Sequence, residues 1–586
     1  MPRSSKTLVT VAMTAAALLA PATTASAEPA YSISVGSTAP YAHPTDTPAG
    51  TFVDKDGTFY FQQSAALYGA DQPREWEFYT GDDFDSAKRS GELSDAVNPA
   101  EPRDRNNDTT WRCNTSPTGK EATPPPAGSG YSQRNFCDLV GTWVDPDTGD
   151  WYGLVHNEFT PEPFGKPSFS HYDSIDYAVS TDQGHTWAIK GHAITSPYST
   201  KRGDTKAFPN QTFDYGDGDP RLFADPASGY FYLYYGSRIV PKEGTGGSAG
   251  GLAHVARAPM SGKLAGGTWS KWYDGAWSQP GLGGKESNMV PATAANPRGY
   301  TKPADDYDPA NTGSVDQQVA AGELPAKSDL FVINIAYDAH LGLYIGEPEV
   351  VSGTQPQKFY VTDDLSTQKW RLIGDSGAYK SGSWYRWFLD GANKTSSTIV
   401  GKTFRSYCSI ACATSDGEYA DITVTSRTPA PAPVDPARTY RIGTGAGRVL
   451  AQVPGTGETT STVNGALDGW KFTANGDGSF RITNDRTGQA LGVPVSTANR
   501  AWGTRPVVST PDASAGQQWF VVPAKGTHGG FRLINRYSGL ALGLSATTGR
   551  LAETTPIRSW TDSSGSAVGG SRTAAEQTVT FAPVRR

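Results

Sequence analysis

Asp225-Pro-Ala-Ser-Gly229-Tyr-Phe-Tyr-Leu-Tyr-Tyr235 is a tight turn followed at once by an aromatic strand. Asp and Gly tolerate the turn, and a run of aromatics packs a half-buried pleat. The pattern recurs on both sides. Asp54-Lys-Asp56-Gly57 leads into Phe59-Tyr60-Phe61, Asp145-Pro-Asp147-Thr-Gly149 into Trp151-Tyr152, and Asp338-Ala-His-Leu-Gly342 into Leu343-Tyr344. A weaker fifth copy is read at Gly374-Asp375-Ser-Gly377, ahead of Trp384-Tyr385-Arg386-Trp387. The units are roughly 70 to 110 residues long. No convincing amphipathic helix interrupts them.

Repeated antiparallel sheets of this kind predict an all-β first domain. A five-bladed β-propeller fits the length and hides strand edges by closing a ring; a pair of β-sandwiches is the competing arrangement. Ser180-Thr-Asp182-Gln-Gly184-His-Thr186-Trp187 matches the Asp-box motif of propeller-like folds, a structural turn usually remote from a catalytic centre.

The first residues read as an export leader. Arg3 and Lys6 precede an apolar run from Leu8 to Leu19, and Ala25-Ser26-Ala27 is a small-residue cleavage site, so residues 1–27 are expected to be removed. The run is too short to span a bilayer comfortably. About 560 residues then remain, too many for one core. Alternating Pro and Ala over 425–437 makes an extended spacer between a domain at 28–424 and a smaller one at 438–586. A net charge of −7 without a basic cluster argues against nucleic acid. Only 19% of residues are charged while 15 are Trp and 27 Tyr, which suits neutral sugars, with their hydroxyls and flat apolar faces. The expected partner is a polysaccharide or oligosaccharide, bound by a secreted monomer without membrane contact. The four cysteines fall in two local pairs, and in an oxidising compartment Cys113–Cys137 and Cys408–Cys412 disulfides are expected over zinc. No cofactor is expected; a structural calcium stays open.

The second domain repeats as well. Gly469-Trp470-Lys-Phe472 precedes Phe480-Arg-Ile482-Thr-Asn484-Asp-Arg-Thr487-Gly488-Gln-Ala-Leu491-Gly492-Val493. Gln518-Trp519-Phe520 precedes Phe531-Arg-Leu533-Ile534-Asn535-Arg-Tyr537-Ser538-Gly539-Leu-Ala-Leu542-Gly543-Leu544. A worn copy opens the domain at Tyr440-Arg-Ile442, and a fragment from Gln577 to Phe581 closes it. These strings resemble the ricin-type β-trefoil, carbohydrate-binding module family 13, over essentially all of 438–586. The resemblance implies shallow pockets for galactose, xylose or arabinose residues. The acidic residue expected early in each unit is not obvious here. A packing or spacer domain is the alternative.

A glycosidase needs two carboxyl groups facing across one bond. Asp219 stands in Gly216-Asp217-Gly218-Asp219-Pro220-Arg221-Leu222-Phe223, just before the Tyr230–Tyr235 strand. This segment resembles the D-P-x-x-F stretch of five-bladed glycoside hydrolases of families 43, 62, 32 and 68, which implies that Asp219 orients substrate and tunes the acid, with Arg221 alongside. Asp46, in His43-Pro-Thr-Asp46-Thr-Pro48, takes the early place of those families' base or nucleophile. Two residues compete as the acid, with the Glu347-Pro-Glu349 pair a weaker third. His156-Asn157-Glu158 puts three polar side chains at the end of an apolar strand, costly unless they face a wet cleft. Glu286 follows Asp219 in the chain, as the acid does in those families. Trp384 and Arg386 are candidate substrate contacts.

The leading expectation is therefore a glycosidase acting on a furanoside polymer of the arabinan or arabinogalactan type. A D-arabinan-cleaving hydrolase is a close variant, a propeller sialidase a more distant one, and a non-catalytic lectin-like protein the rival of another class. No H-E-x-x-H pair points to a zinc protease.

Overall fold

The computed structural model describes residues 30–65, 72–128, 131–162, 171–242, 250–526, 529–546, 551–558 and 572–584. The leader expected at 1–27 lies outside the described residues.

The described part of the first domain forms antiparallel sheets that follow one another along the chain, as the blades of a propeller do. Sheet I runs Gly50–Val53, Phe59–Ala65, Glu75–Gly81 and Lys88–Arg89. Sheet II runs Asn135–Val144, Trp151–Phe159, Tyr172–Ser180 and Ala188–Ile194. Sheet III, joined to sheet II by a parallel bridge between Gly216 and Asp173, begins with Thr212–Ala224, Tyr230–Pro241, Gly250–Pro259 and Ser270–Tyr273. Sheet IV runs Asn334–Asp338, Leu343–Glu347, Val350–Thr362 and Arg371–Ser383. Sheet V starts with Tyr385–Asp390, Thr403–Ser409 and Gly417–Ser426, and its outer strand is the N-terminal Tyr31–Pro40. The pairing runs from Tyr31 opposite Ser426 to Pro40 opposite Glu418, so the two ends of the domain share one sheet.

The repeated aspartates explain the hairpins. In sheet IV, Asp338 Oδ1 accepts from the amides of His340 and Leu341. In sheet III, Asp225 Oδ1 accepts from the amide of Ala227 and also from the hydroxyl of Tyr344, in sheet IV. Asp54 of sheet I accepts from the indole of Trp151, in sheet II, at 2.9 Å. The residue that makes the turn thus also ties one sheet to the next. The fifth turn is not at Gly374–Gly377, which falls inside the outer strand Arg371–Ser383. It is at Asp390, whose Oδ2 accepts from the amides of Ala392 and Asn393. The sequence reading missed it because no aromatic strand follows that turn directly.

The Asp-box closes the hairpin between the last two strands of sheet II. Ser180 Oγ accepts from the amide of Gly184 and donates to Asp182, while Asp182 accepts from the amide and hydroxyl of Thr186. Gly184 has φ +89° and lies against Trp151, where a Cβ would come within 2.6 Å of the ring. Cys113–Cys137 and Cys408–Cys412 are both disulfide-bonded.

The second domain is a β-trefoil. Strands Tyr440–Thr444, Trp470–Ala474, Ser479–Asn484, Trp519–Pro523, Phe531–Asn535 and Val579–Pro583 pair in a closed circle. Hairpins 449–462, 490–509 and 541–555 cover it, one per repeat. Trp470 and Trp519 are fully buried and donate to the carbonyls of Leu450 and Leu491, each at 2.9 Å. In the third repeat the register places Val579, not Phe581, at the tryptophan's position: Phe531 faces Val579 as Phe480 faces Trp519. The worn motif is therefore Gln577-Thr-Val579, matching Gln517-Gln-Trp519. Substituting Trp519→Ala removes a fully buried indole and its hydrogen bond, and is expected to cost about 3–5 kcal/mol, read as a lower denaturation midpoint at unchanged slope.

Candidate active site

The inner strands of sheets I, II, III and V carry the candidate residues on or ahead of them, before the turn that ends each strand. Asp46 precedes the sheet I strand, Asp138 lies in sheet II, Asp219 in sheet III and Tyr385 in sheet V. The second strand of sheet II adds His156 and Glu158, its third strand Asp173, and the second strand of sheet III Arg238. These side chains meet at one end of the ring's axis.

Arg74 holds two carboxylates, with Nε 3.4 Å from Asp138 and an Nη 3.3 Å from Glu158. Glu158 is also 3.6 Å from His156 Nε2 and 4.0 Å from His171 Nε2. Arg238 joins Asp219 at 2.7 Å to Asp173 at 3.6 Å, and its guanidinium lies 5.3 Å over the ring of Trp384. The hydroxyl of Tyr385 donates to Asp219 at 3.3 Å, and the Asp219 amide lies 3.3 Å from His156 Nδ1. Two backbone features set this approach. Gly216 has φ +94°, and a Cβ there would sit 2.1 Å from the carbonyl of Asp173. Asp219 itself has φ 55°, a left-handed conformation that costs a non-glycine residue energy and is concentrated at functional sites.

The carboxyl groups divide into two kinds. Burial raises Asp46 well above the ordinary range, and the negative charge of Glu158 adds to it. Asp46 makes no hydrogen bond to another described residue through its carboxyl group. Burial likewise pushes Asp173 up to about 8. Glu158 and Asp219 go the other way. Burial works against their ionised forms, but Arg74 and the two histidines outweigh it at Glu158, and Arg238, His156 and Arg221 outweigh it at Asp219. Burial also opposes the His156 imidazolium, yet Glu158, Asp173 and Asp219 hold it up to about 10. His171, lowered by burial to about 4, is neutral at pH 7, so the lasting cations beside Glu158 are Arg74 and His156. Environments that push neighbouring acids apart are what acid–base chemistry requires.

Asp46, Glu158, Asp219 and His156 therefore come together, with Arg221 and Trp384 at the margin. Arg221 pairs with Glu349 at 2.6 Å and lies 5.0 Å over Tyr385. Three expectations are corrected. Asn157 alternates to the opposite face of its strand, fully buried on Asn135. Arg386 is buried on Glu347 and Ser381, a structural pair with no open face for substrate. Glu286 belongs to a neighbouring buried cluster, where it accepts from Lys271 and Tyr235 at 2.7 Å each, with Asp217 also on Lys271. Sequence reasoning passed over Arg74, Asp138, Asp173 and Arg238. The last three are charged residues within apolar strands, the same signal that singled out Glu158.

Residues 468–560 match the family described as ricin-type beta-trefoil lectin domain-like. The C-terminal domain is a ricin-type β-trefoil. No curated protein matches the chain. Among solved structures, a GH43 β-1,3-galactosidase is similar at 11% identity over 92% of this chain and 90% of its own, with a TM-score of 0.29. An exo-β-1,3-galactanase from Clostridium thermocellum is similar at 16% identity over 79% of this chain and 98% of its own, TM-score 0.20. The designed three-fold symmetric protein ThreeFoil is similar at 20% identity, covering 25% of this chain and 99% of its own, TM-score 0.20. Scores this low carry no inference about activity.

The raised Asp173 has a consequence for stability. The folded state keeps a proton that the unfolded chain releases near pH 4, so this group's contribution to stability falls as pH rises from about 4 to about 8. Asp173→Asn is expected to flatten that decline, and chemical denaturation at pH 5 and pH 8 measures it: the loss between the two should be smaller in the variant.

Proposed function

We propose that the ring domain hydrolyses glycosidic bonds in a neutral furanoside polymer of the arabinan or arabinogalactan type, with the trefoil holding the polymer. The observation that carries this reading is the convergence of Asp46, Glu158 and Asp219 in one cluster, where burial and the charge of Glu158 raise Asp46 while Arg74 and His156 stand against Glu158. In the proposed reaction the roles that the resemblance implied for Asp46 and Glu158 are exchanged, because burial raises Asp46 and cations lower Glu158: Asp46 gives its proton to the leaving glycosidic oxygen. The carboxylate of Glu158 either attacks the anomeric carbon or takes a proton from the attacking water; the separation of the two groups in the bound complex selects between these. Asp219 does not move a proton. Locked by Arg238 and Tyr385, it is placed to accept from sugar hydroxyls. The furanoside class rests on the resemblance of the Asp219 segment.

A neutral substrate fits the charges. Arg74, Arg221 and Arg238 each already hold a carboxylate, so these arginines offer no unpaired charge for a sialic acid or a uronate. The reading places the protein outside the cell, where disulfides such as Cys113–Cys137 persist.

Hydrolysis of arabinan and arabinogalactan by the full chain tests this. Asp46→Asn and Glu158→Gln are each expected to lower kcat on the order of a thousand-fold with folding intact. Glu286→Gln should stay within about tenfold of the parent, since that residue serves the neighbouring cluster. Full activity in both Asp46→Asn and Glu158→Gln would refute the assignment.

A further inference from the structure

The turns at Asp54, Asp145, Asp225 and Asp390 follow the inner strands of sheets I, II, III and V, on or before which the site residue comes first and the turn last, and the turn at Asp338 follows the inner strand of sheet IV in the same way. The trefoil meets every one of them. Trp502 donates its amide to the carbonyl of Lys55 at 3.0 Å, and Arg500 donates to Gly57 and Asp82 carbonyls at 3.1 and 2.6 Å. Arg558 reaches the carbonyl of Pro146 at 2.7 Å and Asp147 at 2.8 Å. Arg532 donates to the carbonyl of Pro226 at 2.5 Å. Gly478 lies so close to the sheet IV turn that a Cβ would fall 2.3 Å from the amide of His340. Arg536 binds Asp390 through two parallel hydrogen bonds, at 2.9 and 2.6 Å, and also pairs with Asp477.

Four arginines at this junction are at most 4% exposed, and they surround apolar contacts. A cavity of about 310 Å³ remains on the axis, walled by Leu222 and Trp387 of the ring and by Trp502, Phe520 and Leu540 of the trefoil. A module on a flexible tether presents a solvated surface to its neighbour, and relative motion is the default unless the interface is large and dry. Buried arginines that each reach a carbonyl or carboxylate of the other domain are the opposite case.

The three trefoil repeats are not equivalent here. In the third, Arg536 and Ser538 of the Asn535–Gly539 turn are buried at the junction, whereas Arg486, Thr487 and Gly488 of the matching second-repeat turn are exposed. The turn of the third repeat is given over to docking, and that of the second is not.

We infer that the trefoil is a fixed clamp on the ring, which unfolds with it and holds the far ends of the inner strands that carry Asp138, Asp219 and Tyr385. Calorimetry of the full chain tests this without reference to hydrolysis, so its outcome is separate from that of the proposed activity. One cooperative transition is expected, with calorimetric and van't Hoff enthalpies equal. Arg536→Gln should lower the Tm by about 3–4 °C, since it strands the buried Asp390 in a unit of this size. Arg486→Gln, on the exposed second-repeat turn, should leave the Tm unmoved. Two independent transitions in the parent chain would overturn the inference, as would an Arg536→Gln variant that melts with the parent. Should Arg536→Gln fail to fold, the parent scan still decides.

Discussion

The N-terminal strand Tyr31–Pro40 does not pair with the sheet that follows it. It pairs with Gly417–Ser426, the last strand of its domain. This joins the ends of the chain's first domain across nearly 400 residues, at a loop-closure cost that grows only slowly with length. The rest of the architecture depends on it. The chain leaves that strand at Pro40, Tyr41 donates its amide to the carbonyl of Gly417 at 2.9 Å, and the Thr45 amide is held by Ser409 Oγ at 2.8 Å. Asp46 follows directly. The contact that closes the ring therefore also delivers the first acid to the other three.

Once assembled, the cluster is governed by charge in a poorly solvated space. Too many carboxyl groups meet there for all to ionise, and the arginines choose among them. Arg74 and Arg238 keep Glu158 and Asp219 charged, while Asp46 and Asp173, poorer in cationic partners, retain protons. A proton donor and an anion result from one residue type, set apart by their neighbours. The strained backbone at Asp219 and the missing side chain at Gly216 are the local concessions that bring sheet III close enough to take part.

Much of this was legible in the residues. The Asp…Gly turns, the Asp-box and the trefoil strings announce themselves because turn chemistry is local. Asp46 and Asp219 could be found because carboxylates in or before inner strands have few structural reasons to be there, and Glu158 because it ends an apolar strand among other polar side chains. Glu286 and Arg386 misled for the same reason: a buried ion pair such as Lys271–Glu286 leaves the same trace in sequence as a site residue. The partners Arg74, Asp173 and Arg238 come from distant sheets, and only the closed ring shows which strand faces which. The docking of the trefoil was invisible too, since its arginines look like surface charges until their partners are known.

The most direct measurement is a crystal structure of Asp46→Asn with an arabinogalactan-derived oligosaccharide. The account predicts a sugar ring between position 46 and Glu158, hydrogen-bonded to Asp219, at the axial end opposite the trefoil. Sugar bound to the trefoil alone, with the carboxyl cluster left without ligand at saturating concentration, would contradict it.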